Sequence, residues 1–191
     1  MRTLVLGGAR SGKSVWAEEQ LLAAHSGRTL YYLATARPWP GDDDFLARVA
    51  AHRNRRQAQA DRYGVTWRTI DDADAASVLA SPESLGPASH LLLDDVGTWL
   101  THVMEEASLW DKPRGQVEPM TDALVDAVRD WPSNADLVIV SPEVGLGVIP
   151  EHRSGRLFRD EIGLLNQKLA ALCERVVLVV AGCPMVVKQP S

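Results

Sequence analysis

The chain has 191 residues and a net charge of −5 at pH 7, enough length for one α/β domain with a sizeable core and too little for two of ordinary size. An acidic chain excludes a protein whose main task is to coat a nucleic-acid backbone, so any polyphosphate has to be held by a local site. Two cysteines without zinc spacing, Cys173 and Cys183, exclude a disulfide framework and read as buried thiols.

From the start of the chain, an apolar run at residues 3–6 is too short for a signal-peptide core. No later run approaches the ~20 apolar residues of a membrane span, so a cytoplasmic protein is expected. Further strand-length apolar runs follow at 30–34, 65–69, 90–93, 137–140 and 176–180. Helical patterns separate them at 13–24, 43–62, 96–106, 118–131 and 154–174. This alternation predicts a mostly parallel sheet with helices on both faces. Successive apolar residues, as in Val176-Val177-Leu178-Val179-Val180, fit strands buried on both sides. Asp42, Asp43 and Asp44 suit the N-terminus of the second helix. Residues 38–41 read as a turn and 110–115 as an exposed loop. Trp16 and Trp99 read as core residues, with a ligand platform that includes Trp67 as the alternative.

The first strand and first helix are joined by Gly7-Gly8-Ala9-Arg10-Ser11-Gly12-Lys13-Ser14, a G-x-x-x-x-G-K-[ST] phosphate-binding loop in the context the motif requires. Its glycines let backbone N–H groups turn inward as an anion nest, and the helix beginning near Lys13 adds its positive end. Lys13 neutralises terminal phosphate charge, and the Ser14 hydroxyl can ligate Mg²⁺. A second metal-side group is expected at the carboxyl edge of a nearby strand. Asp94 directly follows the run at 90–93 and is the first candidate for that role, with an N-cap of the helix from Val96 as its alternative; Asp95 suits that cap better and is the second candidate for the metal.

The second helix carries Arg48, His52, Arg53, Asn54, Arg55 and Arg56, several on one face by spacing. Two readings stand side by side. The run is a solvated face, or a neutral imidazole attacks phosphorus while guanidinium groups stabilise the equatorial oxygens.

Taken together, GGARSGKS at 7–14, YLATA at 32–36, ARVAAH at 47–52, WRT at 67–69, LLLDDVGTWL at 91–100, EVGLGVIP at 143–150 and FRDEIGLLNQKL at 158–169 span nearly the whole chain. In this order they resemble the bifunctional adenosylcobinamide kinase and adenosylcobinamide-phosphate guanylyltransferase family of cobalamin biosynthesis. The resemblance implies a P-loop NTPase-type α/β fold. It implies an enzyme that phosphorylates a corrinoid hydroxyl and then transfers GMP from GTP through a guanylylated histidine, matched by His52, with ATP an alternative donor for the kinase step. It also implies nucleotide contacts from Gly7 to Ser14, at Thr35, Ala36 and Arg37, at Arg53, Asn54, Arg55 and Arg56, and at Asp71 and Asp94, with Mg²⁺ at Ser14 and Asp94. A homo-oligomer, as a trimer, is a further implication.

Four departures accompany the resemblance. Asp71 stands where glutamate is common, Pro142 where asparagine precedes Glu143, and His102 where asparagine is frequent. The segment 57–65 exceeds the usual link between histidine and tryptophan. His102 reads more simply as a partly exposed helix histidine. Gly145 and Gly147 either bring backbone to a ligand or make a tight connection. The rival functions are a nucleotide-binding module that has lost guanylylation and an ordinary small-molecule P-loop kinase.

Overall fold

The computed structural model describes residues 1–37, 43–86 and 89–190. The turn at 38–41 and Asp42 lie outside the described residues, as do the side chains of Asp43, Asp44, Phe45 and Arg48. Seven strands form one sheet: β1 (Arg2–Gly7), β2 (Thr29–Ala34), β3 (Thr66–Ile70), β4 (His90–Asp94), β5 (Leu137–Pro142), β6 (Arg175–Val180) and β7 (Cys183–Lys188). Their order is β3-β2-β4-β5-β1-β6-β7. All neighbours pair parallel except β6 with β7.

The predicted architecture is therefore present, and the period of two along each strand explains how it is covered. Leu91 and Leu93 enter one apolar cluster together with Leu137, Ile139, Trp99 and Leu165. Leu92 enters the other with Val5, Val138, Val140, Val177 and Leu21. Both faces are apolar over the middle of the sheet, so the inner strands read as near-continuous apolar runs. Helices α1 (Lys13–Ala24) and α2 (Asp43–Tyr63) lie on the second face. Helices α3 (Ala75–Ala80), α4 (Val96–Glu106), α5 (Glu118–Arg129) and α6 (Arg153–Leu172) contribute to the first. Trp99 is buried, and Trp16 packs at the edge of the second cluster while half-exposed.

Helix ends follow local chemistry. Asp95 caps α4 by accepting from the Thr98 N–H at 2.7 Å, as its position before the apolar stretch predicts. Asp74 caps the six-residue α3 by accepting from the Ser77 N–H at 2.9 Å; that helix is too short to carry a readable apolar period. In α5, Glu118 in the first turn and Arg129 in the last both suit the helix dipole.

One strand has no counterpart in the sequence reading. Ala181 and Gly182 both have positive φ, 51° and 80°, and they join β6 to β7 as a two-residue hairpin of the primed kind. Cys183 lies on this exposed edge strand, so the expectation of two buried thiols is corrected: Cys173 is buried and Cys183 is exposed. The reason is position, since β7 is the edge strand of the sheet and all six of its residues are exposed.

Burial, followed by the charge of Glu174, pushes the Cys173 thiol up to about 12. Iodoacetamide at pH 8 should therefore alkylate the native protein at Cys183 alone, with Cys173 reacting only after unfolding; peptide mass mapping reads this, and equal labelling would contradict the burial. Leu92 is 0% exposed, so Leu92→Ala should lose about 2–5 kcal/mol of stability in urea unfolding.

Candidate active site

Strand β1 ends at Gly7 and α1 begins at Lys13, so the phosphate-binding loop lies at the carboxyl edge of the sheet, where parallel sheets bind ligands. The loop is braced from both sides. Gly7 C=O accepts from Glu143 N–H at 3.0 Å, Gly8 C=O from Ser11 N–H at 3.3 Å, and Ser11 C=O from Gly182 N–H at 2.7 Å. The β6–β7 hairpin is thus a buttress of the loop. A Cβ at Gly7 would lie 2.7 Å from the Val179 carbonyl oxygen, so only glycine fits there. Gly12 has φ 92° and Arg10 φ 57°, the left-handed turns that aim successive N–H groups inward. Helix α1 has no side-chain cap, which leaves its first-turn donors for an anion. The Lys13 ammonium reaches back to within 3.5 Å of the Gly8 carbonyl.

Asp94 closes β4, which β5 separates from β1. It accepts hydrogen bonds from Ser14 Oγ at 3.0 Å and from the Tyr32 hydroxyl at 2.6 Å. Burial, then the neighbouring charge of Asp95, holds its carboxyl above the usual range, so a cation beside it would relieve both. A hydroxyl and a carboxylate oxygen side by side at the phosphate loop are the hard donors Mg²⁺ takes. The residues present fit that ion.

A cavity of about 540 Å³ opens between this edge and α2, and Lys13, His52, Arg53, Arg56, Asp71 and Asp94 line it together. An adjoining lobe of about 400 Å³ shares Arg53, Arg56 and Asp71 and adds Trp67. Arg53 pairs with Asp71 at 2.6 Å on the rim. Arg55 donates to Glu18 at 2.8 Å, and Arg56 lies over the Tyr32 ring, 3.5 Å from its centroid. Glu18 is 0% exposed; burial outweighs the two arginines and raises its pKa. Sequence reasoning missed Glu18 and Tyr32, because a lone glutamate in a helix and a tyrosine in an apolar strand carry no local signal.

The remaining expected residues have distinct surroundings. Thr35 is buried; its hydroxyl donates to the Asp95 carbonyl at 2.7 Å and accepts from the Asp95 N–H at 3.0 Å, bracing the Asp94–Asp95 turn. Ala36 lines the cavity. Arg37 pairs on the surface with Glu106 at 2.9 Å, and Asn54 is exposed. His102 is a partly exposed helix residue whose pKa is lowered by burial and then by Arg37.

The two later motifs act on the same edge. Arg159 donates to the carbonyls of Gly145 at 2.7 Å and Gly147 at 3.2 Å, so the loop at 143–150 is clamped by α6. Asn166 accepts from Ser141 Oγ at 2.6 Å and donates to the Pro142 carbonyl at 3.1 Å. A Cβ at Gly97 would collide with the Pro142 ring, so Gly97 and Pro142 are fitted to one another. Within that loop Leu146, Val148 and Ile149 are 84%, 94% and 70% exposed.

At the opposite edge, His25, His90 and Asp136 cluster, with the two imidazoles stacked at 3.5 Å. His90 Nδ1 already accepts the Asp136 N–H, and the Arg28 guanidinium lies 3.5 Å from Nε2. That cationic neighbour opposes a metal there, and the cluster ties chain segments together.

Comparison with known proteins comes from three directions. The family described as "Cobinamide kinase / cobinamide phosphate guanyltransferase" matches residues 3–187. The bifunctional adenosylcobalamin biosynthesis protein CobP of Pseudomonas aeruginosa is 41% identical over 189 residues, covering 98% of each chain. The corresponding CobU of Salmonella typhimurium is 34% identical over 196 residues, covering 98% of this chain and 100% of the relative. Among solved structures, the RadB recombinase matches with TM-score 0.50 at 14% identity, over 93% of this chain and 73% of that one. The flagellar accessory protein FlaH of Methanocaldococcus jannaschii matches with TM-score 0.50 at 9% identity, over 99% and 78%. At those identities the likeness is one of fold. Among the described residues, no helix is long and apolar enough to cross a membrane.

The loop geometry separates two neighbouring glycines. Gly7→Ala should cost about 1–3 kcal/mol through the clash with the Val179 carbonyl, whereas Gly8, whose Cβ would meet nothing within 4 Å, should tolerate alanine within about 0.5 kcal/mol. Thermal melts of the two variants read the difference.

Proposed function

The chain belongs to the cobinamide kinase / cobinamide phosphate guanyltransferase family, and we propose that one cleft, between the phosphate loop and α2, carries both of its reactions. The enzyme phosphorylates adenosylcobinamide and transfers GMP from GTP to the resulting phosphate in cobalamin biosynthesis. The observation that carries the assignment of residues is the single cavity lined by Lys13, His52, Arg53, Arg56 and Asp94.

In the kinase step, the N–H groups of Gly7 to Ser14 cradle the β- and γ-phosphates, and Lys13 neutralises charge as the γ-phosphoryl moves to the corrinoid hydroxyl. Little covalent work is required of the protein, so alignment supplies most of the rate. Ser14 and Asp94 would hold Mg²⁺, which offsets triphosphate charge when bound. GTP is the donor, with ATP an alternative for this step.

In the transferase step, His52 nitrogen attacks the α-phosphorus of GTP, a P–N bond forms, and pyrophosphate leaves. An oxygen of cobinamide phosphate then attacks that phosphorus, the P–N bond breaks, and reprotonation makes imidazole the leaving group. Arg53 and Arg56 carry the charge that builds on the equatorial oxygens, with Asp71 orienting Arg53. The turn Thr35-Ala36-Arg37 and the polar face from Asn54 to Arg55 complete the nucleotide contacts.

The net charge of −5 supports a small-molecule rather than a nucleic-acid partner. A cytoplasmic location and a homo-oligomer, as a trimer, follow from family resemblance, and the exposed apolar tip of the 143–150 loop offers a surface for association.

Incubation with GTP labelled at the α-phosphate should leave acid-labile label on the chain. His52→Ala should abolish it while retaining GTP binding, and Lys13→Ala should lower kinase turnover by about 10²-fold or more. Intact GTP binding without label, or label that survives in His52→Ala, would overturn the transferase assignment.

A further inference from the structure

We infer that Glu18 is a positioning residue for guanylyl transfer: from the helix that follows the phosphate loop, it holds the helix that carries His52. The inference rests on the reading of His52 as the nucleophile. Its ground is the way α2 is attached. Among the described residues of α2, only Arg56 and Ala60 are buried, and Leu46 is 53% exposed. Among the described residues the apolar stripe of α2 near His52 is thin, so they give it little hydrophobic packing there. What locates it there is polar.

Arg55 and Arg56 follow His52 by three and four residues, one helical turn. Both turn to Glu18: Arg55 donates to Oε2 at 2.8 Å, and Arg56 lies 3.9 Å from Oε1. The Arg56 guanidinium also lies over Tyr32, whose hydroxyl donates to Asp94, and Asp94 accepts from Ser14. Ser14 and Glu18 are themselves four residues apart on α1. The contacts therefore close a circuit from α1 through β4, β2 and α2 back to α1, and the turn of α2 that follows His52 cannot shift relative to α1 without breaking it.

A fully buried carboxylate is costly, and an apolar side chain of similar volume would serve packing better. A tether that only stabilised the fold would not need a charge there. What a charge supplies is a hydrogen-bonded hold on the Arg55 guanidinium and an ion pair with that of Arg56, and in-line attack on phosphorus is sensitive to misplacement of the nucleophile by about 1 Å.

The experiment uses the full chain and three readouts: single-turnover labelling from α-labelled GTP, kinase turnover on cobinamide, and melting temperature. Glu18→Gln, nearly isosteric, should slow labelling by at least about ten-fold at saturating GTP, with kinase turnover within about two-fold. Glu18→Asp, which restores the charge, should recover a substantial part of the labelling rate. Equal labelling in the unaltered chain and in Glu18→Gln would overturn the inference while leaving guanylylation intact. A parallel fall of labelling, kinase turnover and melting temperature would also overturn it, since Glu18 would then be a structural anchor. No label on the unaltered chain would overturn the guanylylation reading and this inference with it.

Discussion

The hydrogen bond of 3.0 Å from Ser14 to Asp94 joins the first turn of α1 to the end of β4, and the geometry of the site depends on it. It brings a hydroxyl from the phosphate loop against a carboxylate from a strand that is not its neighbour in the sheet. A parallel sheet makes this possible, because the strands on either side deliver their carboxyl ends to one edge. Asp94 is also where the two halves of the cleft meet, since Tyr32 donates to its other oxygen and Tyr32 in turn carries Arg56 on its ring.

The same edge is reinforced by elements that do not line the cavity. The β6–β7 hairpin gives Gly182 N–H to Ser11, α6 clamps the Gly145 and Gly147 carbonyls through Arg159, and Asn166 secures the end of β5. A phosphate cradle has to be rigid to hold an anion by backbone N–H groups, and these contacts surround it with fixed neighbours. The contrast is α2, whose face toward the cleft is largely polar and which is held by ion pairs to Glu18. The chain thus combines a loop braced from several sides with a helix, the one that carries His52, tied to α1 by ion pairs.

The family's departures take a physical form. Pro142 contributes a carbonyl to Asn166 and a ring that fills the space above Gly97. Asp71, one methylene shorter than glutamate, still reaches Arg53 at 2.6 Å from the end of β3. Residues 57–63 continue α2, which runs unbroken from Asp43 to Tyr63.

By itself, the sequence determined the phosphate-binding loop, the α/β alternation, six of the seven strands and the Asp95 cap, because each is written in a local pattern: a motif, a period of two or 3.6, or a capping residue. Through resemblance to a family it also marked His52, Arg53, Arg56, Asp71 and Asp94, which one cavity brings together. Only the tertiary structure decided what those residues touch. Glu18 meets Arg55 across 37 residues and Tyr32 meets Asp94 across 62, while β7 was hidden because its hairpin turn uses Ala181 in place of the usual asparagine or aspartate. Contacts of that kind are selected by the packing of helices on a shared sheet, and no periodicity within a single segment encodes them.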